Sequence, residues 1–426
     1  MNTVDSVHIA GFWNTRNVQI RFKKELNFLI GPNGSGKTTI INLIAAALRA
    51  DLPTLYSIAF DKMEIVLKSL GTNRKPIIEI TKNVNELMGN IEINYVIKEK
   101  TTDRGTHFGV ESPFDERVYR DPRNIRNRRS AEFGAKLSAV LQSIVEVNWI
   151  SIHRNTIERL ARPPASEAFT NPIDQKVADI STKFASYFSL MSAKAAAESK
   201  SFQEQVFLSL LEQEDDWRTA PPSSNDTDSR AAVLGALRDL GVSPGKAQRS
   251  VNSHYQRLDA ARKAIETTPP IRVEHAITVS DNKRIGKMLS KWRELNGKRA
   301  SIYKPKTDFE TIINSMFSGK ELHFDERNAP VVHLHEGETV PVDILSSGEK
   351  QLFILLGEAL LQEGKPVVFI SDEPELSLHV KWQSLLFQNI RKLNPACQII
   401  SATHSPDIVG PFQDSLIDAS ECVHNV

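Results

Sequence analysis

Cysteine is nearly absent from this chain. Cys397 and Cys422 are the two among 426 residues. That excludes a disulfide framework and a cysteine-based zinc site, and it points to a reducing, cytoplasmic setting. No stretch approaches the roughly 18 consecutive apolar residues of a membrane-spanning helix. The opening MNTVDSVHIA places Asp5 early and has no long apolar run, so no secretory leader is expected. Internal repeats and sustained heptads are missing. So is an excess of one charge: 53 Lys and Arg face 52 Asp and Glu, and bulk charge predicts no partner. What is present, 40% hydrophobic and 25% charged residues, is globular and excludes a disordered or collagen-like chain. The length fits two or three domains.

The even balance conceals two basic islands. Residues 117–129 hold six arginines against Asp121, and residues 281–306 hold nine Lys and Arg against Asp281 and Glu294. The remainder is acidic. The islands fit DNA, RNA or another polyanion, or equally a solvated face or an acidic protein. The first, flanked by Pro113 and Pro122 and poor in apolar residues, is expected to be a mobile basic loop. In the second, Trp292 and Tyr303 lie among cations, an arrangement that either stacks nucleobases or anchors a helix to a core.

Alternation predicts strands at Val7–Ala10, Val18–Phe22, Asn27–Ile30, Met63–Leu67, Ile77–Ile80, Ile91–Ile97 and Val145–Ile152. From Val177 the spacing becomes helical, through Ile180, Phe184, Phe188, Met191 and Ala195, then Phe202, Val206 and Leu210. The segment TAPPSSNDTDS (219–229) reads as a linker. Helices follow around Val233–Leu237 and Val251–Ile265. From 321 the pattern returns to strands, then to a helix over 348–362, a strand Val367–Ser371, a helix over 376–393 and a strand Gln398–Ala402. The expected organisation is 1–155, a mostly helical insertion over 156–319 that binds a partner or DNA, and 320–426. The broken periods argue for a globular insertion rather than a long hairpin.

Four segments carry chemistry. Gly31-Pro32-Asn33-Gly34-Ser35-Gly36-Lys37-Thr38 matches G-x-x-x-x-G-K-[ST] between a strand and a helix. Its glycines let backbone N–H groups surround phosphate oxygens, the helix N-terminus adds a favourable dipole, Lys37 supplies a positive charge, and Thr38 offers a hydroxyl to Mg²⁺. In VVFISDEP (367–374) an apolar strand ends in two carboxylates. Asp372 is placed to hold Mg²⁺ and Glu373 to polarise a water. In LSSGEKQ (345–351), Ser346 and Gly348 stand where a helix begins, either a second anion site or a capped helix. In QIISATHSP (398–406) a strand delivers His404 at the edge where α/β sheets bind ligands.

In this order the segments resemble the ABC-type ATPases: Walker A, signature, Walker B and switch histidine. DEPELSLH (372–379) and ATHSP (402–406) are similar to the SMC-, RecF- and OLD-like branch, and the resemblance covers about 1–155 and 320–426. It implies an α/β fold: a P-loop head of mixed core sheet plus antiparallel β layer, interrupted by the helical insertion. It implies ATP held by Gly31 to Thr39, Mg²⁺ held by Thr38 and Asp372, and Lys37, Glu373 and His404 in catalysis, with Glu373 as base and His404 as γ-phosphate switch. It implies a homodimer, or a homo-oligomer of dimers, in which Ser346 and Gly348 close on ATP bound by the opposite subunit and Ser377 lies at the interface. The sequence departs from the family in reading SSGE where many relatives have SGGQ. No Q-loop glutamine is found; the strand ending near Ile152–Arg154 is where one belongs.

The resemblance extends to ATPase subunits of bacterial anti-phage defence systems, such as those of Septu and of retrons. Those act with a separately encoded nuclease or toxin. The leading expectation is therefore an ATPase that dimerises around ATP and gates such an effector. The alternatives are a RecF-like DNA repair clamp and a slowly hydrolysing scaffold that sequesters an effector. A membrane transporter subunit fits least. The 22 residues after His404 leave no room for the TOPRIM domain of OLD proteins. His323, His333 and His335 are weighed as a metal site and read instead as surface histidines.

Overall fold

Apolar residues alternating with polar ones build a layer of strands, and continuous apolar runs build a second, fully covered sheet. The computed structural model describes the chain except residues 86–89, 101–102, 114–124, 151–170, 212–225, 268–271, 336 and 426. It opens with β1 (Asn2–Phe12), β2 (Arg16–Arg21), β3 (Leu26–Ile30), α1 (Lys37–Arg49) and α2 (Leu52–Ser57). Then come β4 (Lys62–Ser69), β5 (Ile77–Asn85), β6 (Asn90–Lys98), β7 (Thr106–Pro113), α3 (Ile125–Ile144) and β8 (Val147–Ile150). Four helices follow: α4 (Pro172–Leu211), α5 (Asp226–Asp239), α6 (Pro244–Thr267) and α7 (Val273–Met316). The last part holds β9 (Lys320–Phe324), β10 (Pro330–Leu334), β11 (Thr339–Pro341), α8 (Ser347–Leu361), β12 (Val368–Asp372) and α9 (Val380–Leu393). It ends with β13 (Gln398–Ala402), α10 (Pro406–Val409), β14 (Leu416–Asp418), α11 (Ala419–Cys422) and β15 (Val423–Asn425).

The described strands form three sheets. One is antiparallel, in the order β15-β2-β1-β4-β5-β6-β7. A second, β14-β3-β13-β12-β8, is parallel throughout. Its strands LNFLI, VFISD and QIISA are apolar almost without interruption, as a sheet covered on both faces requires. The third is a small antiparallel sheet, β11-β10-β9. Helix α1 is buried nearly all round and shares one core with the antiparallel strands and with Val368, Ile370 and Ile400 of the parallel sheet. The Tyr95 hydroxyl on β6 donates to Ala47 O at 3.1 Å.

Gln398, fully buried, stitches the two large sheets together. Its Oε1 accepts from Val4 N at 2.7 Å, and its Nε2 donates to Val4 O at 2.8 Å and Lys23 O at 2.9 Å. Gln398→Leu would take this partner from Val4 N and Val4 O in the core, while Lys23 O keeps the Asn27 Nδ2 donor. The expected cost is about 2–4 kcal/mol, measured as a lower urea midpoint at unchanged slope.

Contacts divide the chain into two units: Met1–Ala185 with Asp308–Val426, and Ser186–Thr307. Both boundaries fall inside single helices, α4 and α7, rather than in loops. In the first unit Phe184 packs edge-on against Phe309, Phe324 and Phe353, with ring centroids 5.0 to 5.6 Å apart. In the second, Val251, Tyr255 and Leu258 of α6 pack with Val233, Leu234 and Leu237 of α5.

Several expectations need correction. Helical spacing from Val177 and from Phe202 marks one helix of 40 residues, not two. The helix expected over 376–393 begins only at Val380, because Ser377 has φ 77° and its neighbours form a turn capped by His379. Of the expected basic loop, 117–124 lies outside the described residues, but 125–129 begins α3. Most of the linker 219–229 also lies outside them, and its last residues are helical. Trp292 is 8% exposed and packs on Phe202 at 5.5 Å, so it is a core anchor and not a base-stacking platform.

Candidate functional site

Register within the parallel sheet gathers the four sequence segments. Leu29, Ala402 and Asp372 lie level on the adjacent strands β3, β13 and β12. The residues that follow each of them leave the sheet at its C-terminal edge, where α/β folds place ligands. There Glu373 N donates to Ala402 O and Thr403 N to Leu29 O, at 2.9 and 3.2 Å.

The Gly31–Thr38 loop turns on its glycines. Gly31, Gly34 and Gly36 have φ of 140°, 81° and 93°, values open to glycine and strained for other residues. Gly36 is boxed in as well: a Cβ there would meet Phe12 and Trp13 ring atoms at 3.2 Å. Pro32, Asn33 and Gly34 are exposed. Lys37 is buried, and its Nζ donates to Gly31 O at 2.8 Å and Pro32 O at 3.1 Å. Burial pulls its ammonium below the ordinary lysine value, while the Glu373, Asp372 and Asp418 carboxylates oppose that pull. The Ser35 hydroxyl is buried with no hydrogen-bond partner. An orphaned buried donor between Gly34 and Gly36 is what a phosphate would satisfy.

Thr38 Oγ1 donates to Asp372 Oδ1 at 3.0 Å. The P-loop and the end of β12 thus bring a hydroxyl and a carboxylate together, hard oxygen donors suited to Mg²⁺. Next in sequence, Glu373 has φ 47°, an uncommon conformation for a non-glycine residue. Its Oε1 lies 3.7 Å from His404 Nε2. Thr38, Asp372, Glu373 and His404 therefore share one edge of one sheet.

The third segment lies elsewhere in hydrogen-bonding terms. Among the described residues no hydrogen bond joins Ser346 or Gly348 to the P-loop. Ser346 caps α8: its hydroxyl donates to Glu349 Oε2 at 2.8 Å, and its N–H reaches the same oxygen at 2.9 Å. Burial opposes the Glu349 charge, but the Ser346 N–H, the Ser346 hydroxyl and Lys320 outweigh it and hold the carboxyl below its usual value. The glutamate in SSGE thus completes a capping box. Gly348 packs on the turn after β12: a Cβ there would stand 2.5 Å from Ser377 O. Gly348→Val is expected to displace the Ser377 turn at a cost of about 1–3 kcal/mol. ATP turnover should fall several-fold while nucleotide affinity, read by fluorescent-ATP titration, holds.

Two features escape sequence reading. Asp418, the last residue of β14, and Ser420, in α11, wall the P-loop: a Cβ on Gly31 would meet Asp418 Oδ1 at 3.4 Å and Ser420 Oγ at 3.5 Å. Nothing near 418 forms a motif; only the pairing of Asp418 with Ile30 on β3 reveals it. The other is Glu375, inside a recognised segment but unmarked by it. The Q-loop region, 152–154, lies outside the described residues. His323 and His333 meet edge-on across β9 and β10, ring centroids 4.9 Å apart, and no group of three metal-binding side chains occurs among the described residues. None of the described helices is long and apolar enough to cross a membrane.

The chain is similar to known proteins in the same sense. It is 24% identical over 423 residues to the Retron Ec83 probable ATPase of Escherichia coli, covering 95% of this chain and 69% of that protein. Among solved structures, the Smc head domain of Pyrococcus furiosus, with an extended coiled coil and the C-terminal domain of ScpA, aligns at TM-score 0.42. The identity there is 14%, over 100% of this chain and 96% of that one. An SmcHead bound to the C-winged helix domain of ScpA aligns at 0.40, with 12% identity over 96% and 91% of the two chains. The AAA ATPase domain matches residues 3–409, and the chain belongs to that family.

Proposed function

We propose that this protein hydrolyses ATP to ADP and phosphate at the edge of the parallel sheet and uses the cycle to control a partner. The observation that carries the reading is the hydrogen bond between Thr38 and Asp372, with Glu373 and His404 3.7 Å apart beside it. Gly31 to Thr39 bind the triphosphate, and Lys37 leaves its carbonyl partners for the phosphate oxygens. Thr38 and Asp372 would hold Mg²⁺, whose charge offsets that on the phosphates. Glu373 orients the attacking water and accepts its proton. His404 hydrogen-bonds the γ-phosphate and steadies Glu373.

Completion of the site requires a second copy. Ser346 and Gly348 make no hydrogen bond to their own P-loop, and a capped helix start exposing Ser346 and Ser347 fits the open side of a neighbour's nucleotide. Exposed Ile344, Leu376, Val380 and Leu385 flank the same segments and would be covered in such a dimer. The likeness to a retron ATPase supports a role in anti-phage defence, with a separately encoded nuclease or toxin as the controlled partner. Sedimentation with a non-hydrolysable ATP analogue and Mg²⁺ tests the arrangement. A monomer that turns over ATP at full rate would sink it.

Nucleic acid is a second candidate partner. Arg249, Ser250, Ser253 and Arg257 with Lys246 line one face of α6 around a depression of about 430 Å³, and α7 carries the island 281–306. Affinity for a DNA duplex that falls steeply with salt would support this contact.

A further inference from the structure

Glu375 is three residues beyond Asp372, the proposed Mg²⁺ ligand. It is 6% exposed. One oxygen, Oε1, accepts two hydrogen bonds from the segment carrying the histidine: Thr403 Oγ1 at 2.5 Å and His404 N at 3.1 Å. Thr403 Oγ1 in turn accepts from Ser405 N at 3.0 Å, and the Ser405 hydroxyl donates to Gln383 Oε1 at 2.6 Å. The other oxygen, Oε2, is buried without a hydrogen-bond partner among the described residues. The loop that bears Glu375 is itself fixed, since Gln351 Nε2 donates to Pro374 O at 2.6 Å.

A half-satisfied buried carboxylate is a costly way to hold a loop. Any neutral acceptor would satisfy the same two donors without a buried charge. A charged acceptor does something a neutral one does not: it shortens and strengthens both bonds at once. Here that grip falls on the backbone of His404, whose ring lies beside Glu373.

We propose that Glu375 is a positioning residue for hydrolysis, clamping Thr403 and the His404 backbone so that the imidazole is held against Glu373 and the γ-phosphate. This rests on the roles given to Glu373 and His404 above. The clamp acts on turnover and leaves nucleotide binding to the P-loop.

The test is steady-state ATPase kinetics on the full chain, with melting temperatures in parallel. Glu375→Ala should lower kcat about 10- to 100-fold, the scale of a catalytic group misplaced by about 1 Å, with KM for ATP within threefold. Glu375→Gln keeps an acceptor but not the charge; it should recover only part of the loss, staying several-fold below the wild-type kcat, while melting at or above the wild-type temperature. A purely structural residue would not let turnover fall while stability holds. Glu375→Ala combined with His404→Ala should be no slower than His404→Ala alone, within twofold. Multiplying effects, or a rise in KM at constant kcat, would overturn the proposal. If Glu375→Ala does not fold, Thr403→Val replaces it, and wild-type kcat in that variant would overturn the clamp. A wild-type chain with no ATPase activity would instead refute the functional reading itself.

Discussion

Lys37→Ala is expected to reduce ATP turnover roughly 10²–10³-fold, with a matching loss of nucleotide affinity, while the fold survives. The reasoning starts from the side chain's position. Lys37 is buried at the start of α1, its ammonium bridging the Gly31 and Pro32 carbonyls across the loop mouth. Burial already disfavours that charge, so deletion removes a desolvated cation along with its two hydrogen bonds, and stability changes little. Three carboxylates, Glu373, Asp372 and Asp418, face the same ammonium. Without Lys37, an incoming triphosphate would meet them without that opposing charge. Isothermal titration with ATP and Mg²⁺, alongside a melting curve, checks both halves. Wild-type affinity in the variant would mean that the loop does not bind phosphate as described.

Glu373→Gln separates binding from chemistry. The amide keeps the size of the side chain and its backbone bond to Ala402 O, but it cannot take a proton from water. Loss of a general base costs about 10²–10⁴ in rate. Nucleotide affinity should hold, because Gly31–Thr38 and the Thr38–Asp372 pair are untouched. An ATP-bound dimer should then accumulate and appear as a stable heavier species by size exclusion with light scattering. Turnover near the wild-type rate would remove Glu373 from the mechanism and leave His404 without its acidic neighbour's role.

The Gly31–Thr38 loop is legible in the sequence because it depends on contiguous backbone. A strand must stop, glycines must turn, and a helix must start within eight residues, so spacing alone encodes the cradle. The five-stranded sheet is legible for a similar reason: strands covered on both faces are written as mostly apolar runs, broken in β3, β12 and β13 by a few buried polar residues such as Asn27, Ser371 and Gln398. Glu375 is not legible, since its meaning lies in donors at Thr403 and His404, and no local pattern announces a partner that far along the chain. Helix α7 is obscured by its own content. Its 44 residues include Pro305 and no clear apolar stripe, so its length is set by packing and not by periodicity. Trp292 shows the limit of composition: cations surround it in sequence, yet in the fold it turns inward to Phe202.

The position of β3 has a consequence for synthesis on the ribosome. Its two neighbours in the sheet, β13 and β14, come from residues 398–402 and 416–418, and β15 closes the edge of the antiparallel layer at 423–425. A nascent chain carries the nucleotide loop early but cannot seat it until nearly all of these residues have emerged. Fragments that stop short of residues 398–418 would lack both neighbours of β3, and no nucleotide binding is expected of them.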